Sequence, residues 1–98
     1  MSVELTLELS DRTDSIVIQR AVESYRIRVQ NGIERTQRRL QEFEQRYQVT
    51  TEHFLEQMSA EDLEGGDIEY IEWAGEAKLL TGLVAEHQAL EHVRYKLP

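Results

Sequence analysis

Residues 11–47 have the sequence DRTDSIVIQRAVESYRIRVQNGIERTQRRLQEFEQRY, in which apolar side chains recur at a helical spacing. These positions are Ile18, Val22, Tyr25, Val29, Ile33, Leu40, Phe43 and Tyr47, with Thr36 in the place between Ile33 and Leu40. A stripe that repeats about every 3.5 residues forms one face of a long helix that packs on another helix.

The pair Asn31-Gly32 is the weak point of this predicted helix. Asn-Gly favours positive φ, so it could form a turn that divides the segment into two helices. It could also be an exposed glycine inside a continuous helix, at a cost of about 1 kcal/mol. Because the apolar stripe keeps its phase across the pair, the sequence favours one continuous helix over residues 11–47.

The N-terminal ten residues have a different period. Val3, Leu5, Leu7 and Leu9 alternate with Glu4, Thr6 and Glu8. This period of two predicts a short strand with one apolar face. No second strand is evident, so the predicted pairing partner is the same strand of another subunit. The alternative is an extended arm that packs on the helices.

The second half of the chain predicts two more helices. Thr50 or Thr51 would cap a short helix over residues 50–60, and Gly65-Gly66 is the clearest break. Asp67 would cap a C-terminal helix over residues 67–95, long enough to pack antiparallel on the first. The predicted fold is therefore mainly α: one domain over residues 1–98, a long antiparallel helical hairpin with a short connecting helix and an N-terminal β-strand or arm, expected to be dimeric.

The charge of the chain is concentrated in its second half. Residues 1–51 carry eight acidic and eight basic side chains, whereas residues 52–98 carry eleven acidic and three basic ones. The whole formal charge of −8 therefore belongs to the second half. From Glu52 to Glu76 there are nine carboxylates and no Lys or Arg, with aromatic residues among them. Such a surface suits a basic protein and repels phosphate.

The residues predicted to bind a partner lie in this acidic segment: Phe54, Glu69, Tyr70, Glu72, Trp73 and Glu76. The three glutamates share one face of the C-terminal helix because they are three and seven residues apart. Two interpretations of Trp73 remain open. It is either the largest core residue between two helices or a partly exposed anchor for the partner's surface, since Trp and Tyr dominate interface hot spots.

Catalysis, cofactor binding and metal binding are not predicted. The chain has no cysteine, and His87 and His92 are five residues apart, which places them on different faces of a helix. Neither a glycine-rich phosphate loop nor a nucleophile elbow is present. No apolar run approaches the roughly 18 residues that span a bilayer, and the N-terminus lacks the pattern of a signal peptide. We therefore expect a cytoplasmic protein without a membrane segment.

Two stretches together resemble a known family. Phe43-Glu44-Gln45-Arg46-Tyr47-Gln48-Val49-Thr50-Thr51-Glu52-His53-Phe54 precedes an acidic stretch, and Asp67-Ile68-Glu69-Tyr70-Ile71-Glu72-Trp73-Ala74-Gly75 follows it. This pattern, over about residues 40–80, resembles small acidic antitoxin-like proteins that prokaryotes often encode beside a toxin gene. Gln48 departs from the family pattern, which has glycine there. The resemblance implies neutralisation of a cognate toxin by direct contact, and it implies no catalytic residue.

The predicted function is a non-catalytic, antitoxin-like module that binds and masks a basic partner protein through its acidic and aromatic surface. A homodimer is expected as well. One alternative is a structural helical homodimer without a further ligand. Another is a DNA-binding regulator that uses the N-terminal strand in the manner of ribbon-helix-helix proteins. Glu4 and Glu8 would face outward on that strand and repel phosphate, so nucleic acid is the less favoured partner.

Overall fold

The computed structural model describes residues 5–57 and 68–96, and this part of the chain is mainly helical. Helices α1 (Arg12–Tyr47), α2 (Thr51–Gln57) and α3 (Ile68–Glu91) have 36, 7 and 24 residues. Strands β1 (Leu5–Glu8) and β2 (Val93–Lys96) have four residues each. The mainly α prediction and its long first helix are confirmed. The predicted glycine break and the Asp67 cap lie outside the described residues.

Two compact units divide the chain. The first unit contains the residues up to Gly32 together with those from Leu83 onward, and the second unit contains Ile33–Gly82. The strands therefore belong to the first unit and α2 belongs to the second, while α1 and α3 contribute residues to both. The one-domain interpretation of residues 1–98 stays a prediction.

Helix α1 begins at a side-chain cap and has no break in its middle. The Asp11 carboxylate accepts a hydrogen bond from the Asp14 amide at 2.8 Å, which satisfies one of the first free N–H groups of the helix. The helix continues through Asn31-Gly32, as the phase of the stripe indicated. Gly32 is half-buried rather than exposed. Leu83 packs so close to it that a Cβ atom at Gly32 would lie only 3.3 Å from Leu83 Cδ1. The glycine thus allows Leu83 to pack closely on α1.

The predicted apolar stripe of α1 faces inward. Val29, Leu40 and Phe43 are buried, and most of its other members are half-buried. Tyr25 is the exception: it is exposed, and its hydroxyl donates to the Glu86 carboxylate at 3.0 Å. Thr36 is only 1% exposed, and its hydroxyl has no hydrogen-bond partner among the described residues. A buried hydroxyl without a partner costs stability, because water would have hydrated it in the unfolded chain.

We therefore expect Thr36→Val to raise the free energy of unfolding by about 1 kcal/mol, since valine has the same shape without the hydroxyl. Urea unfolding followed by circular dichroism measures this change. The same substitution at exposed Thr13 is the control and should change stability by no more than about 0.5 kcal/mol. A Thr36→Val protein less stable than the wild type would show that the hydroxyl has a partner after all.

The end of α1 places Gln48 in an unusual backbone conformation. Its φ of 57° lies in the left-handed region, where a side chain other than glycine is strained. Its amide Nε2 donates to the Gln45 carbonyl at 2.6 Å, which partly satisfies the last turn of the helix. Glycine is the residue that helix ends most often use for this conformation.

Replacing Gln48 with glycine should therefore stabilise the chain by about 1 kcal/mol, despite the loss of one exposed hydrogen bond. Gln45→Gly provides the matched control, because Gln45 has helical geometry. There the same substitution should destabilise by about 1 kcal/mol. Thermal or urea unfolding of both variants checks the signs. Equal losses of stability in the two variants would contradict the assignment of strain to Gln48.

Strand β1 pairs with β2 of the same chain, in parallel, with Leu5 beside Val93 and Leu7 beside Tyr95. The prediction that the C-terminal helix continues to residue 95 is therefore wrong: α3 ends at Glu91. Val93-Arg94-Tyr95-Lys96 alternates apolar and basic residues, which suits a strand whose two faces differ. The prediction that β1 finds its partner in another subunit is also wrong for this edge of the strand.

Candidate functional site

Five aromatic side chains from the three helices meet in the second unit: Phe43, Tyr47, Phe54, Tyr70 and Trp73. Trp73 is fully buried, with 0% of its surface exposed. Phe54 stacks on it with ring centroids 3.9 Å apart and planes 4° apart, and Phe43 stacks on it at 5.5 Å. Tyr70 makes edge contacts with Tyr47 and Phe54. Within this unit, one indole therefore joins α1, α2 and α3.

Thr51 fixes the orientation of that indole. Its Oγ1 accepts a hydrogen bond from Trp73 Nε1 at 2.9 Å, and its amide donates to the Glu44 carboxylate at 2.7 Å. The neighbouring Thr50 caps α2, because its Oγ1 accepts from the His53 amide at 3.1 Å. Of the two threonines predicted as a cap, Thr50 is the cap, and Thr51 holds the core.

Thr51→Val should lower the free energy of unfolding by about 1–3 kcal/mol, because it leaves a buried N–H donor without an acceptor. Thr51→Ser keeps the hydroxyl and should lose less. The chain has one tryptophan, so the single indole N–H resonance in an NMR spectrum reports on this bond directly. Wild-type stability together with an unchanged indole resonance in Thr51→Val would refute the role of this hydroxyl.

The predicted acidic face of α3 is bound by the chain's own arginines. Glu69 forms an ion pair with Arg46 and also accepts a hydrogen bond from the Tyr47 hydroxyl. Glu72 forms an ion pair with Arg39 at 3.1 Å. Glu76, on the same face, is half-buried. Arg39 and Arg46 are seven residues apart on α1, a spacing that places them on one face of that helix.

The predicted partner-binding role of these residues stays a prediction. Phe54, Tyr70 and Trp73 are gathered together. The interpretation of Trp73 as a core residue agrees with its burial. Glu69 and Glu72 are engaged within the chain and do not form an unpaired acidic surface. Four further carboxylates of the acidic segment lie outside the described residues: Glu61, Asp62, Glu64 and Asp67.

An open groove of about 650 Å³ lies beside the aromatic cluster, between α1, α2 and α3 of the second unit. Its apolar lining comes from Leu40, Leu55, Ala77 and Leu80, and Leu55 is 44% exposed. The polar lining is formed by Gln37, Gln41, Glu44, Thr51, Glu52 and Thr81. Among these residues there are two carboxylates and no Lys or Arg. The groove therefore offers apolar contacts together with two negatively charged side chains.

Among the described residues, no group of three or more His, Asp or Glu side chains is placed to hold a metal ion. Clear pKa shifts occur in the first unit at Glu23, Tyr25 and Arg26. The hydrogen bond from Arg26 lowers the pKa of Glu23, and the Glu86 carboxylate raises the pKa of Tyr25 because it accepts the phenolic hydrogen. Glu23 and Tyr25 are both exposed, and neither lines the groove.

The fold and the groove have no counterpart that identifies them. Comparisons with protein-family models, with curated proteins and with solved structures each give no match. The resemblance of residues 40–80 to antitoxin-like proteins therefore stays a prediction. Within the described ranges 5–57 and 68–96, no helix is both long enough and apolar enough to cross a bilayer.

Proposed function

We propose that this protein is a non-catalytic, antitoxin-like binding module that acts in the cytoplasm and masks a basic segment of a partner protein. The observation that carries this proposal is the groove of the second unit, with its apolar floor and its edge of Glu44 and Glu52. A partner segment with two or three apolar side chains and flanking Lys or Arg residues would match both features. We assign the partner-binding role to the groove rather than to Glu69 and Glu72, because these two glutamates form ion pairs within the chain.

The charge of the groove would act mainly on the rate of encounter. Carboxylates at the rim of an interface attract a cationic partner and raise the association rate, whereas the buried apolar contacts slow dissociation. Glu52 is exposed at the start of α2, and Glu44 is held in place by its hydrogen bond from the Thr51 amide. Thr51 thus holds both the Glu44 carboxylate and the Trp73 indole in place.

Leu55 is the expected anchor for the partner. It lines the groove from α2 and remains 44% exposed in a helix that has no buried residue. Phe54, beside it in sequence, stacks on Trp73. Because adjacent helical residues lie about 100° apart, the core contact of Phe54 directs Leu55 toward the groove.

The decisive experiment measures binding of the purified chain to the product of the neighbouring reading frame, at low and at high salt. Glu52→Lys should weaken binding about tenfold at low salt, mostly by slowing association, and the loss should shrink as salt rises. Leu55→Ala should weaken it by more than about 1 kcal/mol at either salt concentration, mostly by faster dissociation.

Matched controls test whether the groove itself is responsible. Glu34→Lys makes the same change of charge at an exposed position of α1 outside the groove, and Leu79→Ala removes a similarly exposed leucine from α3. Both should bind nearly as well as the wild type. A pair that never associates at low salt would refute the proposal, and equal losses in the control variants would refute the groove as its site.

The predicted antiparallel hairpin and homodimer belong to the same proposal. The ion pairs support the hairpin, because Arg39 contacts Glu72 and the later Arg46 contacts the earlier Glu69. Exposed apolar residues on α3 favour the second candidate function, a structural homodimer; they are Ile68, Ile71 and Leu79. The third candidate, a DNA-binding ribbon, gains no support from a β1 strand that pairs in parallel within its own chain.

A further inference from the structure

The two-stranded sheet of the first unit leaves one edge of β1 open. Leu5 donates its amide to the His92 carbonyl and Leu9 donates to the Lys96 carbonyl, at 3.4 and 2.9 Å. Backbone groups of successive residues in a strand point to opposite sides, so the N–H and C=O groups of Thr6 and Glu8 point away from β2. In the described part of the chain no residue pairs with these two donors and two acceptors.

The two faces of the sheet differ in polarity. By the register of the strands, Leu5 and Leu7 share one face with Val93 and Tyr95. Leu7, Val93 and Tyr95 are half-buried, but Leu5 is 50% exposed. The other face carries Thr6, Glu8, Arg94 and Lys96, all of them exposed. The apolar face is therefore left uncovered at Leu5.

We infer that a second copy of this chain adds its own β1 to this edge in antiparallel orientation, which makes a four-stranded sheet in the order β2-β1-β1-β2. A two-fold axis perpendicular to the sheet produces this arrangement and keeps the leucine faces of both copies on the same side. The inference deepens the homodimer part of the proposed function and rests on it, because it names the surface through which two copies meet.

The register of the pairing follows from charge and from the length of strand that is paired. Outward-pointing amides allow Thr6 to face Thr6, Glu8 to face Glu8, or Thr6 to face Glu8 of the partner. The second of these opposes two glutamates directly, and the first pairs only residues 5–7 of each copy. The third opposes no like charges and pairs residues 5–9. It places Leu7 beside the partner's Leu7 on the two-fold axis, and it covers Leu5 with the partner's Leu9.

A cross-linking experiment tests this register. The chain contains no cysteine, so Leu7→Cys introduces its only thiol. In the inferred register the two Leu7 positions form a non-hydrogen-bonded pair with Cα atoms about 4.5 Å apart, within the range of a disulfide. Mild oxidation should convert most of the protein into a covalent dimer. Tyr95→Cys is the control: two copies of β2 would lie about 14 Å apart, so it should stay largely monomeric on a denaturing gel.

A second experiment tests the edge without altering the leucine face. Thr6→Pro removes one outward N–H group and leaves the hydrogen bonds to β2 in place, whereas Thr6→Val keeps that group. In analytical ultracentrifugation, Thr6→Pro should raise the dimer dissociation constant at least about tenfold, the loss expected from about 1.4 kcal/mol. Thr6→Val should change it by less than about threefold, and circular dichroism checks that both variants are folded.

The outcomes of these experiments distinguish whether the chain dimerises at all from whether it dimerises through the edge of β1. A wild-type chain that sediments as a monomer at high concentration would overturn both the homodimer and the edge. A stable wild-type dimer that neither cross-links through Leu7→Cys nor weakens with Thr6→Pro would overturn the edge alone and point to the exposed face of α3. Binding at the groove is measured with separate variants, so its failure would leave this inference standing.

Discussion

The burial of Trp73 is the interaction on which the second unit depends. An aromatic side chain of this size removes roughly 150–250 Å² from water, worth about 4–6 kcal/mol, a large share of the total stability of a small domain. Helix α2 has only seven residues, which is too short for a helix to be stable on its own, and none of them is buried. The Phe54 ring and the Thr51 hydroxyl attach it to the indole, and without that attachment the groove would lose one of its walls.

The ion pairs between α1 and α3 change the meaning of the charge distribution. Counted along the sequence, the acidic half has almost no basic residues. In the structure, Arg39 and Arg46 of the neutral half neutralise Glu72 and Glu69. Exposed pairs of this kind contribute little stability, typically up to about 1 kcal/mol. Their larger effect is to neutralise two carboxylates of the acidic segment within the chain.

Much of the fold was predictable because it is encoded by local periodicity. The α1 stripe repeats over many turns, so it survives the Asn31-Gly32 pair, and the leucines of β1 alternate without interruption. Strand β2 was not predictable in the same way. Four residues, Val93-Arg94-Tyr95-Lys96, are too few to distinguish the strand period of two residues from the helical period of about 3.6. Their strand conformation also depends on pairing with β1, which is nearly ninety residues away in sequence. The ion pairs of Glu69 and Glu72 were not predictable for a similar reason, because ion pairing between helices depends on their relative register.

Several residues of this chain lower its stability. Thr36 buries a hydroxyl without a partner among the described residues, and Gln48 adopts a left-handed conformation. Gly75 and Gly82 lie inside α3 with open space where a Cβ would be, and each costs about 1 kcal/mol relative to alanine. Together these features cost about 4 kcal/mol, against the 5–15 kcal/mol typical of folded domains. A partner or a second copy that binds only the folded chain would offset this cost, since binding at a hundred times the dissociation constant adds about 2.7 kcal/mol. Association would thus give a physical reason why the chain tolerates these residues.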